Sequence, residues 1–220
     1  MNANANTRQP APLANPANPT LPAAAAAGSA TAGFATAASA AGASLPATAA
    51  TSAVDAVTLD ALAAFPAQLA AHFSLFPAEA RHWAPPSWDG VPSEPLTAIE
   101  QLCHVRDIEI DGYQQRIRRT LAEDDPLLPS LDTDALARER RYGEDDPAAA
   151  LAAFARARQE TIAMLAAVTP EQLARRARFE GYGPLTFKAL IHYLCSHDQQ
   201  HLAGLQWVLG QYDAARDAAR

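Results

Sequence analysis

The sequence predicts an all-α protein: a four-helix bundle over residues 55–212, with a disordered tail before it (residues 1–54) and a short C-terminal tail after it (residues 213–220). Three observations support this prediction. Charged residues are confined almost entirely to the part of the chain from position 55 onward, because Arg8 is the only one before it. The remaining 166 residues are enough for one domain with its own core. Within them, apolar residues recur at helical spacing in four long segments, and no alternating strand pattern competes.

The tail is rich in alanine and proline and offers little apolar surface to a core. Residues 1–54 hold 22 alanines and six prolines. Alanine buries too little to offset about 1–2 kcal/mol of backbone entropy per ordered residue, and proline interrupts helices. The composition favours disorder, with an export segment or a mis-assigned start codon as alternatives. No strongly apolar stretch reaches the roughly 18 residues of a membrane span.

The first two helices are predicted from apolar spacing and a capping pattern. The first runs from Val57 to Phe76, with Pro66 as a kink. A loop rich in tryptophan and proline follows. Thr97 and Glu100 then form a capping-box pattern that opens the second helix, which extends to about Leu121.

The second half of the chain contains two further long helices. A connection over residues 124–147 carries a short helix at about 134–141, and Pro147 suits the first position of the third helix. A helical turn over residues 169–172 and a loop over residues 181–184 lead to Thr186, which caps the last helix. Gly210 is predicted to end that helix near Leu209.

Charge and cysteine content exclude several classes of protein. The formal net charge is −7, and the chain has two cysteines and one lysine, Lys188. So few cysteines exclude a disulfide-stapled secreted mini-protein. An acidic chain without a block of basic residues argues against nucleic-acid and membrane partners. We therefore expect a cytoplasmic protein that acts on a small molecule.

The most informative pair of residues is His197 and His201 on the last helix. Residues four apart lie one turn apart on nearly the same face. Both histidines fall in the apolar arc of this helix, whereas His192 falls on the opposite side. Two neighbouring buried imidazoles are costly without partners, and a divalent metal would satisfy both. The alternative is two core histidines hydrogen-bonded to carboxylates or water.

A metal site needs a third protein ligand, and His104 on the second helix is the candidate. Its position is about 140° from the main apolar stripe of that helix. The helix is nevertheless apolar over a wide arc. Periodicity alone therefore leaves His104 either on a solvated face or at the edge of a wet cavity.

Charged side chains near these histidines have both functional and structural interpretations. Asp198 could orient a metal-bound histidine or cap a neighbouring helix. Asp107 or Glu109 could orient His104 or act as a base, or could pair with an arginine. Arg106 lies in an apolar stripe, so an internal ion pair competes with a role in anchoring an anionic substrate.

Two other features near the histidines have simpler interpretations. Cys103 and Cys195 flank the predicted ligand positions as candidate soft ligands or redox partners, but small core residues are the better interpretation. The metalloprotease motif HExxH is absent, since Asp198 stands at its second position.

Three short segments together resemble the DinB-like (DinB/YfiT) superfamily. They are Leu102-Cys103-His104 followed by Asp107 and Glu109, then Gly183-Pro-Leu-Thr186, then His197-Asp-Gln-Gln-His201-Leu. The resemblance covers about residues 57–210. It implies a four-helix bundle with one divalent metal held by His104, His197 and His201. In many relatives a histidine precedes the Gly-Pro-Leu-Thr segment, whereas this chain has Arg178 to Tyr182 there.

The resemblance also implies a range of functions. Known activities in the family include transferases and isomerases that use low-molecular-weight thiols, and many members are called metal-dependent hydrolases. Three histidines leave an open coordination position, at which Zn, Ni, Fe or Mn could activate water or a thiol. A thiol-dependent S-transferase or hydrolase is therefore expected. The alternatives are a non-catalytic metal- or ligand-binding stress-response module and a purely structural bundle, and a homodimer is expected because small bundles often pair.

Overall fold

The computed structural model describes residues 52–220. The predicted disordered tail lies outside the described residues up to position 51. The helices are α1 (Ala56–Phe73), α2 (Ala98–Asp107), α3 (Gln114–Ala122), α4 (Thr133–Glu139), α5 (Pro147–Ala166), α6 (Pro170–Leu173) and α7 (Phe187–Ala218). A π-helical stretch, Ile108–Tyr113, joins α2 to α3 without a break. Single 3₁₀ turns cover Ala78–Ala80 and Tyr142–Glu144.

Four long helical segments form the predicted bundle. Helix α5 packs against α1 and α2, and α7 contacts the same two helices. Helices α1 and α2 therefore lie diagonally across the bundle, with α5 and α7 between them. Within residues 52–220, no helix is long and apolar enough to cross a membrane.

The predicted helix starts are confirmed by their capping contacts. The Glu100 carboxylate accepts a 2.9 Å hydrogen bond from the Thr97 N–H, which closes the capping box of α2. The Thr186 hydroxyl accepts from the Ala189 N–H at 3.2 Å at the start of α7. Pro147 occupies the first turn of α5 as predicted, with Asp146 as its N-cap. These contacts satisfy backbone N–H groups that have no partner inside the helix.

The predicted end of the last helix is wrong. Helix α7 continues through Gly210 to Ala218, although residues 213–220 are exposed. A glycine ends a helix by adopting positive φ, and Gly210 does not do so. Beyond it, Tyr212 packs into the core with its ring 5.5 Å from that of Trp83. This burial favours a further turn of helix.

A small sheet was not predicted. Its strands are β1 (Leu127–Leu128), β2 (Arg176–Phe179) and β3 (Gly183–Thr186), in the order β1-β2-β3. Strand β2 runs parallel to β1 and antiparallel to β3, with Phe179 opposite Gly183. Strands of two to four residues are too short to show a period of two in the sequence. The loop predicted at residues 181–184 is thus partly a strand, which leads directly into α7.

Helix α2 is buried on almost every side, which determines where its polar side chains go. Its buried residues are Ala98, Ile99, Gln101, Leu102, Cys103, His104, Val105 and Asp107. A helix surrounded by neighbours has no solvent face, so its polar residues must find partners inside the protein. His104 therefore lies in the interior.

Candidate metal centre

The structure brings the three predicted histidines together at the contact between α2 and α7. The Nε2 atoms of His104 and His197 are 3.3 Å apart. One possible ligand atom from each of the three rings lies within 4.8 Å of those of the other two. His104 and His201 are buried, and His197 is half-buried. His192 is exposed, which confirms the prediction that it lies on the opposite side of α7 from His197 and His201.

Burial keeps two of these imidazoles neutral. Desolvation, with a smaller contribution from nearby His201, lowers the pKa of His104 to about 3. Desolvation and the same neighbour also hold the pKa of His197 well below its usual value. A neutral imidazole exposes a nitrogen lone pair, which is the form that binds metal ions.

The donor set fits a divalent first-row metal. Two nitrogens bound to one cation at about 2.0–2.1 Å lie about 3.0–3.4 Å apart, depending on the angle between the bonds. The separation of His104 and His197 falls in this range. In addition, Nε2 of His201 is buried, and its 3.2 Å contact with Glu94 Oε2 lacks the geometry of a hydrogen bond. A buried nitrogen without a partner is costly, and a cation at this point would satisfy it.

Gln101 determines which nitrogen of His201 faces the cluster. His201 Nδ1 and Gln101 Oε1 are 2.7 Å apart and both side chains are buried. With the proton on Nδ1, this contact is a hydrogen bond that leaves the Nε2 lone pair free. Sequence analysis missed Gln101, although it lies three residues before His104 and so shares its face of α2.

Glu94, in the loop before α2, was also missed. Its Oε2 lies 3.2 Å from Nε2 of His201, and its Oε1 lies 3.8 Å from Nε2 of His104. Its side chain is 37% exposed, so it borders the cluster on the solvent side. Burial alone would raise the pKa of Glu94, but His201 and His104 outweigh this and lower the pKa to about 2. Loop residues follow no periodic pattern, and no sequence signal marked this one.

Asp198 does not orient a histidine or cap a helix, which corrects both predictions for it. Its carboxylate accepts hydrogen bonds of 2.6 and 2.8 Å from the buried guanidinium of Arg158 on α5. Glu109 accepts two more from the same group, each 3.0 Å long. The guanidinium also lies over the rings of Phe65 and Phe154, 5.5 and 5.0 Å from their centroids. We call Arg158, Glu109 and Asp198 the buried triad.

The remaining candidates have structural partners. Arg106 pairs with Asp107 and Asp145, which confirms the internal ion pair. Cys103 is buried in the core, and burial raises its pKa to about 12, so it remains a thiol. Cys195 is half-buried and packs against the core. Among the described residues, the group whose possible ligand atoms all lie within 4.8 Å of one another is His104, His197 and His201.

Comparison with known proteins agrees with this architecture. The structure resembles YfiT from Bacillus subtilis, described as a probable metal-dependent hydrolase with an unusual four-helix bundle topology. The TM-score is 0.62 at 21% sequence identity, over 71% of this chain and 86% of YfiT. No curated protein matches the chain significantly in sequence. The family model of the DinB superfamily matches residues 61–205, which include all three histidines, and the chain therefore belongs to the DinB superfamily.

Proposed function

We propose that this protein is a metal-dependent enzyme that holds one divalent cation through His104, His197 and His201. The observation that carries the proposal is the convergence of three imidazoles whose possible ligand atoms all lie within 4.8 Å of one another. When bound, a cation such as Zn, Ni, Fe or Mn would lower the pKa of a coordinated water or thiol towards neutrality. The description of YfiT as a probable metal-dependent hydrolase supports the same class of chemistry.

The protein's own side chains would prepare this site. Gln101 fixes the ring of His201, so that little reorganisation is needed when the cation binds. The half-buried ring of His197 gives the cluster limited contact with solvent. We expect an electrophilic small molecule as substrate, with water or a low-molecular-weight thiol as nucleophile. A cytoplasmic homodimer without nucleic-acid partners remains part of the proposal.

Metal-dependent turnover tests the proposal. Protein purified without a histidine tag should contain about one divalent metal per chain by elemental analysis. Chelator-treated and reloaded samples would then be assayed with ester, amide and epoxide substrates, each with and without low-molecular-weight thiols. Turnover by the reloaded sample alone is the expected result. Absence of bound metal, or equal turnover without it, would contradict an enzyme of this type.

A non-catalytic metal-binding module is the second candidate. The observation in its favour is Glu94, because a carboxylate beside three histidines could close the coordination sphere, and closed four-ligand sites are typical of structural zinc. This candidate predicts the same metal content but no turnover with any member of the substrate panel.

Replacement of Gln101 by leucine should weaken metal binding without loss of the fold. The Gln101→Leu change removes the acceptor for His201 Nδ1 while keeping a side chain of similar size. Loss of such a partner typically costs 10–100-fold in metal affinity, and we expect a decrease of about this size. Competition with a chromophoric chelator measures it. Gln199→Leu, at an exposed position on α7, is the control. Equal affinity in both variants would show that Gln101 does not prepare the site.

A further inference from the structure

We propose that Glu94 is a fourth protein ligand of the metal, so that the site is three histidines and one carboxylate. This inference depends on the proposed metal site and extends it to a residue outside the histidine pattern. It is compatible with the proposed enzyme, because a metal with four protein ligands can accept a fifth ligand. Glu94 Oε2 lies 3.2 Å from His201 Nε2, within the roughly 3.0–3.4 Å that separates two donors on one cation. Its other oxygen, 3.8 Å from His104 Nε2, lies just beyond this range.

The loop that carries Glu94 is held in place by its sequence and by hydrogen bonds. Pro92 and Pro95 restrict its backbone on both sides of Glu94. Gln101 Nε2 donates a 3.1 Å hydrogen bond to the hydroxyl of Ser93, the residue before Glu94. The same Gln101 contacts His201 through its Oε1. One buried amide therefore positions both a histidine of the site and the loop that carries the carboxylate.

Gly204 allows this loop to approach α7. A Cβ atom at position 204 would lie 2.2 Å from Ser93 Oγ and 2.7 Å from Gln101 Nε2. Both distances are shorter than any non-bonded contact, so a side chain at this position would displace the side chains of Ser93 and Gln101, whose hydrogen bond holds the loop. Gly204 lies one turn after His201 on α7. The loop therefore contacts α7 beside His201, and this contact places Glu94 near the histidines.

The charge of the site also favours Glu94 as a ligand. Three neutral imidazoles leave the charge of a divalent cation uncompensated, and a carboxylate ligand neutralises half of it. A glutamate side chain such as Glu94 carries one negative charge at neutral pH. The Glu94 side chain is partly exposed, so it links the buried histidines to the surface.

Cobalt binding to the full chain tests the assignment, because the visible absorption of Co²⁺ reports the identity and number of its ligands. Wild-type protein, Glu94→Gln, Glu94→Asp and the control Asp89→Asn would be titrated. Asp89 is an exposed acid in the same loop, so its variant loses the same charge without touching the histidines. We expect Glu94→Gln to bind Co²⁺ at least about tenfold more weakly, with an altered spectrum. Asp89→Asn should match the wild type.

Glu94→Asp separates ligation from simple attraction. It keeps the charge on a shorter side chain, so a ligand role predicts weaker binding and an altered spectrum. Wild-type behaviour in Glu94→Asp, or in Glu94→Gln, would overturn the assignment of Glu94 alone. Failure of the wild-type protein to bind Co²⁺ would overturn the three-histidine site and this inference together.

Discussion

A protein carrying both His197→Ala and His201→Ala should lose its bound metal almost completely while remaining helical. The two residues supply two of the three imidazoles of the site, and the ligands that remain cannot hold a divalent cation tightly. Loss of a residue that merely orients a ligand costs 10–100-fold in affinity, so loss of two ligands should cost more than about 100-fold. Elemental analysis after dialysis should show metal content falling from about one atom per chain to near zero.

The control for this experiment lies on the same helix. His192 is exposed on the opposite side of α7, so His192→Ala removes an imidazole without affecting the cluster. It should retain wild-type metal content, and circular dichroism should show helical protein for both variants. A double variant that keeps its metal would mean that the cation binds elsewhere in the chain.

Replacement of Arg158 by methionine should produce a large loss of stability. The Arg158 guanidinium and the two carboxylates of the buried triad are each 99% removed from solvent. Removing the arginine leaves Glu109 and Asp198 buried without their countercharge. Breaking a buried ion pair in this way typically costs 3–5 kcal/mol, and we expect the free energy of unfolding to fall by about this amount. Urea denaturation followed by circular dichroism measures the change.

Two further variants identify the cause of this loss. Arg119 forms an ion pair with Glu123 at the surface, so Arg119→Met should change stability little. Adding Glu109→Gln to Arg158→Met removes one of the two orphaned charges and should restore part of the lost stability. If Arg158→Met is no less stable than Arg119→Met, the triad does not stabilise the fold.

The sequence was most informative where structure is regular. His197 and His201 could be placed in the interior because α7 is one unbroken helix with a single apolar arc. His104 could not be placed from periodicity, since α2 is buried on nearly all sides and has no polar face to serve as a reference. Only the family resemblance selected it.

Partners that are distant in sequence could not be predicted. Asp198 is next to His197 along the chain, but one residue along a helix is a rotation of 100°, which turns its carboxylate to Arg158 on α5. Glu94 belongs to an irregular loop, and its distance from the histidines depends on the packing of that loop against α7. Glycine often ends a helix, which is why Gly210 was predicted to do so. The burial of Tyr212 in the core outweighed this preference.

The absence of a side chain at position 204 has a consequence for sequence comparison within the DinB superfamily. The side chains of Ser93 and Gln101, which hold the segment from Pro92 to Pro95, occupy the space that a side chain at position 204 would need. Homologues with alanine or a larger residue at the corresponding position should have a differently shaped segment before the second helix, without an acid that reaches the histidines. We therefore expect glycine at this position and an acid between the two prolines to occur together in homologues. The superfamily would then contain two groups, one with a carboxylate beside the histidines and one without.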